Sequence, residues 1–343
     1  MTDPSELPDT GTDVAVLVPC YNEEATIGPL VARISAAMSH ARIVVIDNNS
    51  DDATAMRARA AGAEVMKVSL KGKGNAIRSA FDRIDAEVYV MLDGDGTYDP
   101  GQAPALVRRL MDNGLDMVIG ARQNVTVDAG RRGHAVGNRI FNSLYAGIFG
   151  QAYSDIFSGY RVFSRRYVKS FPAISSGFEI ETEMSIHAQM LRLEVEEVPV
   201  TYGRRPAGSV SKLSTHRDGL RILGFLMLCA KEVRPFTFFA SLALASLGAS
   251  LALAIPIILD FLRTGLVEKQ PTWFLSVGLA IIGLNMFFAG IILDSVARGR
   301  LEQKMLILRG IPCSGLPMTS VPKASHASAD RPRSTATAIQ IAS

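Results

Sequence analysis

Two uncharged apolar stretches near the C-terminal end restrict this chain more than any other feature. Phe236 to Phe261 carries no charge before Asp260, and Trp273 to Leu293 carries none at all. At about 1.5 Å rise per residue, each is long enough as a helix to cross a hydrocarbon core of roughly 30 Å. The alternative is a pair of buried core helices, but such helices seldom run so far without a charge. The connector RTGLVEKQPT is short, so the two spans predict a hairpin. Lys231 and Arg234 precede the first span and Arg298, Arg300 and Lys304 follow the second, whereas the connector offers only Arg263 and Lys269, offset by Glu268. The positive-inside rule then predicts an integral membrane protein with both termini in the cytoplasm.

The hydrophobic fraction of 48% over 343 residues is concentrated in these spans, and what precedes them reads as an ordinary globular domain. A net charge of +3 with acidic loops and bases gathered near the apolar segments suits a membrane surface. It does not suit a nucleic-acid groove, which needs a basic face with interleaved aromatics, so no nucleic-acid partner is expected. Cys20, Cys229 and Cys313 are far apart, without a CxxC pair or a His at zinc spacing, which points to a reducing compartment. The N-terminus MTDPSELPDTGTD lacks the basic-then-apolar pattern of a signal peptide, so the front domain is expected in the cytoplasm.

In that domain, β-branched runs alternate with helical patterns. Val14–Val18, Ile43–Ile46, Val65–Val68, Val88–Leu92 and Met117–Ile119 predict buried strands; Glu24–Met38, Ala53–Ala61, Asn75–Ile84 and Ala103–Met111 predict helices. The alternation predicts an α/β fold with a mostly parallel sheet covered on both faces. Ligands in such sheets bind beyond the carboxyl ends of the strands, and the polar motifs fall there. Further on, 137–150 and EIETEMSIHAQMLRL read as helices, SDIFSGYRVFS as a Gly- and Ser-containing stretch, and VEEVPVTY as a strand. Leu220–Val233 reads either as an interfacial helix on the bilayer or as a packed helix of the domain.

The DGDGTYD run, Asp93 to Asp99, follows the strand VYVML. Two carboxylates one residue apart on such a turn can share a hard divalent cation with a diphosphate, and Gly94 and Gly96 permit close approach. An acidic turn that merely caps the next helix is the plain alternative. A calcium EF-hand fits poorly, because a strand precedes the motif and that loop needs a Gly at its sixth position and a Glu at its twelfth. Three further motifs sit after the earlier strands: PCYNEEATI, where Asn22 or Glu23 could cap the next helix, DNNSDDAT, where Ser50 to Asp52 could do the same, and KGKGNAIRSAF. The last lacks the GxxxxGK[ST] spacing of a P-loop.

Together, Pro19-Cys20-Tyr21-Asn22-Glu23-Glu24, Asp47-Asn48-Asn49-Ser50-Asp51-Asp52, Gly72-Lys73-Gly74-Asn75-Ala76 and Asp93-Gly94-Asp95 resemble the inverting family 2 glycosyltransferases with the GT-A fold, from about Asp13 to Gly219. The resemblance implies a nucleotide-sugar donor with Pro19, Tyr21, Glu23, Asp47 and Lys73 lining its pocket, and Mg²⁺ or Mn²⁺ on Asp93 and Asp95. Asn49 stands where members often carry Gly, and Thr97 where relatives with a Gln use it as a further metal ligand. Gly120-Ala121-Arg122, Ser154 to Arg161 (SDIFSGYR), Gly177 to Glu181 (GFEIE) and Arg205 to Leu213 (RPAGSVSKL) are similar to the dolichol-phosphate mannose synthase and polyprenyl-phosphate glucosyltransferase branch. That implies transfer of a hexose, from GDP-mannose or UDP-glucose first of all, to a polyprenyl phosphate at the cytoplasmic membrane face.

The basic residues have a reading of their own. Arg122, Arg131, Arg132, Arg139, Arg205 and Lys212 could bind phosphate, with Ser211 adding a hydroxyl, and the alternative for each is a solvated surface charge. The expected acceptor-phosphate set is Arg205, Ser211, Lys212 and Arg139. Asp95, Arg122 and Asp155 are the expected catalytic residues, Asp155 as an orienting group or base. Rival functions are a processive polysaccharide synthase or transfer to another lipid, a nucleotidyltransferase, and a non-catalytic sugar-nucleotide-binding membrane scaffold. The synthase lacks its QxxRW motif here, and the nucleotidyltransferase its triphosphate loop. The expected organisation is a disordered 1–12, a catalytic domain over 13–212, an amphipathic juxtamembrane segment over 213–235, a hairpin over 236–294 (236–261 and 273–293), a cytoplasmic segment over 295–313 and a disordered 314–343. By analogy, the hairpin could also join chains into a homo-oligomer.

Overall fold

The computed structural model describes residues 12–123, 142–143, 145–147, 149–150, 153–203, 205 and 215–312. The strands β1 (Val14–Cys20), β2 (Arg42–Asp47), β3 (Glu64–Lys67), β4 (Val88–Met91), β5 (Met117–Gln123), β6 (Arg161–Ser164) and β7 (Val195–Thr201) form one sheet in the order β3-β2-β1-β4-β6-β5-β7. β3, β2, β1 and β4 are parallel neighbours, β7 is parallel to β5, and β6 runs antiparallel between β4 and β5. The sheet is mostly parallel, as the strand–helix alternation predicts. β6 is the strand the sequence pattern does not announce.

Side chains alternate across each strand, and the chain uses both sets. Ala15 and Leu17 of β1, Val44 and Ile46 of β2, and Tyr89 and Met91 of β4 face one core. There they meet Ile77 and Phe81 of α3 (Lys73–Arg83), Tyr167 of α5 (Arg165–Ser170) and Met184 of α6 (Ile180–Met190). Val16 and Val18, Val45 and Val90 face the other core. It is closed by Leu30 and Ile34 of α1 (Ile27–Ala37), Ala58 of α2 (Thr54–Ala60) and Leu106 and Val107 of α4 (Ala103–Asp112). Burial on both faces explains why these strands read as continuous apolar runs. Parallel pairing sets the carboxyl ends of β1, β2 and β4 along one edge of the sheet.

Helix α7 (Thr215–Val233) sets Leu226 and Cys229 into the first core, while Leu223, Met227 and Leu228 stay exposed. It packs against the domain and also carries an apolar outer face. Pro235–Thr264 (α8) and Gln270–Arg309 (α9) are both long and apolar enough to cross a membrane. They form a hairpin whose seam is built from small residues at seven-residue spacing: Ala243 and Ser250 on α8, Ser276, Gly283 and Gly290 on α9. A Cβ at Gly283 would lie 2.8 Å from Leu247 Cγ and 3.1 Å from the Ala243 carbonyl oxygen. The Ser246 hydroxyl donates to Leu279 O at 2.8 Å and the Ser250 hydroxyl to Ser276 O at 2.7 Å. Without a hydrophobic force between helices in lipid, such close approach and hydrogen bonding are what hold a pair together.

α9 does not stop where the uncharged span ends. It continues through Asp294, Arg298 and Lys304 to Arg309, and its last turns place Leu301, Met305 and Leu308 against the first core. At about 1.5 Å per residue the helix is about 60 Å long, roughly twice the bilayer core.

Candidate active site

The loops after β1 and β2 are laced to each other. Asn22 N donates to Ser50 Oγ at 3.0 Å, Asp51 N to Asn22 Oδ1 at 2.9 Å, Glu23 N to Thr54 Oγ1 at 2.8 Å and Glu24 N to Asp52 Oδ2 at 3.1 Å. Asn22 and Asn49 both take left-handed backbone, with φ of 53° and 60°. Asn tolerates that region better than most residues, which accounts for Asn49 at a position where the family resemblance often implies Gly. Neither Asn22 nor Glu23 caps α1, contrary to the sequence expectation. The N-cap is Thr26, and its hydroxyl donates to Gly94 O at 2.8 Å, tying the start of α1 to the acidic turn. Asp52 does support the next helix, accepting from Thr54 N at 2.9 Å.

The expected donor-side residues converge at this edge. Pro19 and Cys20 close β1, with Tyr21 and buried Glu23 just beyond it; Asp47 closes β2 and accepts from Ser50 N at 3.1 Å. The Lys71 ammonium donates to Tyr21 Oη at 3.1 Å. Asn48 holds the loop before α3 by donating to Leu70 O at 2.7 Å and accepting from Gly72 N at 2.6 Å. Gly72 has φ 128°, and a Cβ at Gly72 or Gly74 would sit 2.1 Å from the carbonyl oxygens of Ser176 or Ser175. The glycines of the KGKG run therefore serve a backbone–backbone approach that brings Lys73 into place.

Lys73 is paired with Asp93 on one side and with Glu181 Oε1, 2.5 Å away, on the other. Burial pushes the Lys73 ammonium down, but the two carboxylates outweigh it and hold its pKa well above the usual lysine range. Burial pushes the Glu181 carboxyl up. Two residues on from Asp93, Asp95 accepts from Thr97 N at 3.1 Å and Thr97 Oγ1 at 2.5 Å through Oδ1, and from Arg205 Nη2 at 2.5 Å through Oδ2. Glu23, Asp47, Asp93 and Asp95 all surround Cys20, whose thiol is pushed up first by burial and then by these four carboxylates.

This donor set fits a hard divalent ion. Asp93 and Asp95 offer carboxylate oxygens on one turn, and among the described residues no third His, Cys, Asp or Glu joins them. An ion held by this pair would need further oxygens from a ligand diphosphate or water, as Mg²⁺ and Mn²⁺ commonly have. The cradle is tight: a Cβ at Gly159 would lie 2.3 Å from Asp93 Oδ2, and one at Gly94 would lie 2.3 Å from Cys20 Sγ.

Arg122 and Asp155 form a second unit beside the first. Arg122 Nε and Nη2 meet the two oxygens of Asp155 at 2.6 and 2.7 Å, and Glu197 Oε1 fixes the turn by accepting from Asp155 N at 3.3 Å and Ser154 N at 3.0 Å. Burial raises the Asp155 pKa, but the Arg122 bonds prevail and hold the carboxyl below its usual range. Tyr98 bridges to the acidic turn, accepting from Gly159 N at 3.0 Å and sharing a hydrogen bond with Ser158 Oγ at 3.3 Å. Of the acceptor set, Arg205 meets Asp95, while Arg139, Ser211 and Lys212, like Arg131 and Arg132, lie outside the described residues. Sequence reasoning left Glu181 without a role. Its signal was the acidic pair at the start of the helix that follows GFE, since a helix-initiating glutamate more commonly serves the helix dipole.

A family model described as Glycosyl transferase family 2 matches residues 15–171. Glycosyltransferase AglJ of Haloferax volcanii is 36% identical over 292 residues, covering 84% of this chain and 95% of the relative. A dodecaprenyl-phosphate galacturonate synthase of Rhizobium johnstonii is 28% identical over 312 residues, covering 85% and 89%. Among solved structures, glucosyl-3-phosphoglycerate synthase from Mycobacterium tuberculosis, in complex with Mn²⁺, uridine diphosphate and glucosyl-3-phosphoglycerate, superposes with a TM-score of 0.54 at 23% identity, covering 64% of this chain and 80% of that one. That likeness establishes the GT-A-like fold. With the sequence relatives it leads to one assignment: the chain is a glycosyltransferase and belongs to glycosyl transferase family 2.

Proposed function

We propose that this enzyme transfers a hexose, with inversion at the anomeric carbon, from a nucleotide-sugar to a polyprenyl phosphate at the cytoplasmic face of a membrane, with GDP-mannose and UDP-glucose as the first donors to test. The observation that carries the reading is the meeting of two distant segments on one acidic turn. Lys73, from the donor-side loops, pairs with Asp93, and Arg205, from the segment resembling an acceptor element, pairs with Asp95. Donor diphosphate and acceptor phosphate would thus be handled within two residues of each other, in a chain that also carries a hairpin of membrane-crossing length. The Rhizobium relative, by its name, acts on dodecaprenyl phosphate, which supports the same acceptor class. The division into a cytoplasmic catalytic domain over 13–212 and a hairpin over 236–294 belongs to the proposal.

Asp93 and Asp95 would hold Mg²⁺ or Mn²⁺, whose charge would offset that developing on the leaving diphosphate. Lys73, kept charged by Glu181, lies against Asp93 and is directed to the same diphosphate. The second pKa of a phosphate monoester is near 6, so the acceptor is largely a dianion at neutral pH and attacks without a strong general base. Orientation then matters more than proton transfer. Arg205 and, by the sequence reading, Arg139, Ser211 and Lys212 grip the acceptor phosphate. Asp155 has both oxygens on Arg122, so its part is to fix that guanidinium.

The test is incubation of the purified protein in detergent with Mg²⁺ or Mn²⁺, polyprenyl phosphate and a panel of GDP- and UDP-sugars, read as a new glycolipid by mass spectrometry. The product should require both the metal and Asp95, with Asp95→Ala as the control. A folded protein that binds nucleotide but makes no glycolipid from any donor would overturn the reading in favour of another acceptor or a scaffold.

A further inference from the structure

At one end of the hairpin, the C-terminal end of α7, the first turn of α8 and the middle of α9 line a half-open cavity of 370 Å³. Its lining is part apolar, from Val233, Phe236 and Ile291, and part polar, from Arg234, Thr237, Asp294 and Arg298. Arg234 is anchored through Nη2 to Phe149 O at 3.2 Å, which ties this corner to the catalytic domain. Arg298 is anchored through Nη2 and Nε to Asp294 Oδ2 at 2.7 and 2.9 Å. Two guanidinium groups and one carboxylate leave a net charge of one positive. Phe236 and Ile291 are themselves 39% and 45% exposed.

We propose that this cavity binds the headgroup of a bilayer phospholipid, a phosphate diester of single negative charge such as phosphatidylglycerol. Planar guanidinium forks suit phosphate oxygens, and basic groups at the edge of a membrane span attract anionic headgroups. The net charge selects among phosphates. A diester monoanion matches the single positive excess, whereas the dianionic head of a polyprenyl phosphate would leave Asp294 facing an uncompensated charge. The apolar part of the lining would receive the glycerol and the first chain carbons, which a free phosphate does not possess. The site is separate from the acidic turn and does not depend on the proposed reaction.

The full-length protein, stripped of lipid in detergent, is titrated with phosphatidylglycerol and followed by native mass spectrometry and thermal melting. One lipid should be retained per chain, with a rise in melting temperature, and retention should weaken at least tenfold in the double variant Arg234→Gln, Arg298→Gln. Arg298→Gln alone keeps the Arg234–Phe149 contact and should show a smaller loss in the same direction, so the test survives if the double variant fails to fold. Equal retention by wild type and the Arg298→Gln variant would overturn the proposal. So would protection by inorganic phosphate at the same concentration, or displacement of phosphatidylglycerol by equimolar polyprenyl phosphate, which would assign the cavity to a free anion or to the acceptor.

Discussion

Adding a single methyl group at Gly159 should disable the acidic turn without unfolding the protein. The residue does not occupy left-handed backbone, so alanine is conformationally allowed there. Its Cβ would nevertheless lie 2.3 Å from Asp93 Oδ2, 2.6 Å from Cγ and 2.7 Å from Oδ1. Ordinary carbon–oxygen contact needs about 3.5 Å, so the carboxylate has to retreat by about 1 Å. It can, because it is the end of a side chain, and the protein core is not asked to move. A 1 Å misplacement of a reacting or positioning group costs about 10²-fold in rate, or about 2.7 kcal/mol of transition-state stabilisation. Gly159→Ala should therefore lower glycolipid formation by about a hundredfold and raise the Mn²⁺ concentration needed for half-maximal rate, with a melting temperature within a few degrees of wild type. Gly28→Ala, where a Cβ meets nothing within 4 Å, is the control and should change neither. If Gly159→Ala keeps a rate within threefold of wild type with the same Mn²⁺ dependence, the placement of Asp93 against Gly159 does not bear on the reaction. If it melts far below wild type, the premise that the carboxylate is the group that yields is wrong.

Asp155→Asn breaks one half of a buried bidentate pair and should cost about 3 kcal/mol of stability. At temperatures where the variant is folded, turnover should fall less than tenfold, and loss of the acidic limb of the pH–rate profile in this variant alone would instead identify a base. His187 is pushed down to about 3, first by burial and then by Lys304. Between that value and the unfolded value near 6.5 the unfolded chain binds one more proton, so stability falls by up to about 1.4 kcal/mol for each pH unit of acidification in this window. His187→Phe keeps the ring contacts with Tyr167 and Phe171, and Ser170 Oγ retains its 2.9 Å bond to Tyr167 O. Its melting temperature should decline less steeply from pH 6.5 to 4, and parallel curves for the two proteins would refute the assignment. In the hairpin, Gly283→Leu should weaken α8–α9 packing by about 1–3 kcal/mol in denaturation from micelles, whereas Gly278→Leu, where a Cβ has open space, should not.

Physical causes separate what the sequence discloses from what it hides. Strands β1, β2 and β4 are readable because burial on both faces demands unbroken apolar runs. β6 is hidden because it is four residues long and begins with Arg161, which a pattern reader assigns to a loop. Arg161 is nevertheless fully buried, its N–H groups placed on Ser158 O at 3.0 Å, Ile156 O at 2.8 Å and Ser185 Oγ at 3.1 Å. Two backbone carbonyls and a serine hydroxyl take its hydrogen bonds, and no direct ion pair is present among the described residues to signal it. The donor-side residues are readable because each motif ends a strand. The pairing of Lys73 with Glu181 is not, since it depends on the Gly72 and Gly74 contact with the Ser175–Ser176 backbone. Charge ends the uncharged span at Leu293, yet it says nothing of the helix continuing past it to Arg309.

That continuation bears on how a soluble-looking domain can serve a lipid. A catalytic domain tethered by a flexible linker would sample many orientations, and each ordered encounter with a membrane phosphate would carry an entropic cost. Here three attachments converge on the same core. Leu226 and Cys229 of α7 enter it, Leu301, Met305 and Leu308 of α9 pack against it, and Arg234 bonds to Phe149 O at the boundary. Both ends of the hairpin are thereby fastened to the first core, which also receives Ile77 of α3 and Met184 of α6, the helices that carry Lys73 and Glu181. Leu308 lies fifteen residues beyond Leu293, roughly 22 Å along a straight helix. The domain is thus held at two points, the α7–α8 junction and the last turns of α9, which fixes its orientation relative to the hairpin. For the proposed reaction, a fixed orientation would present the site to an acceptor phosphate without the orientational search that a flexible tether requires.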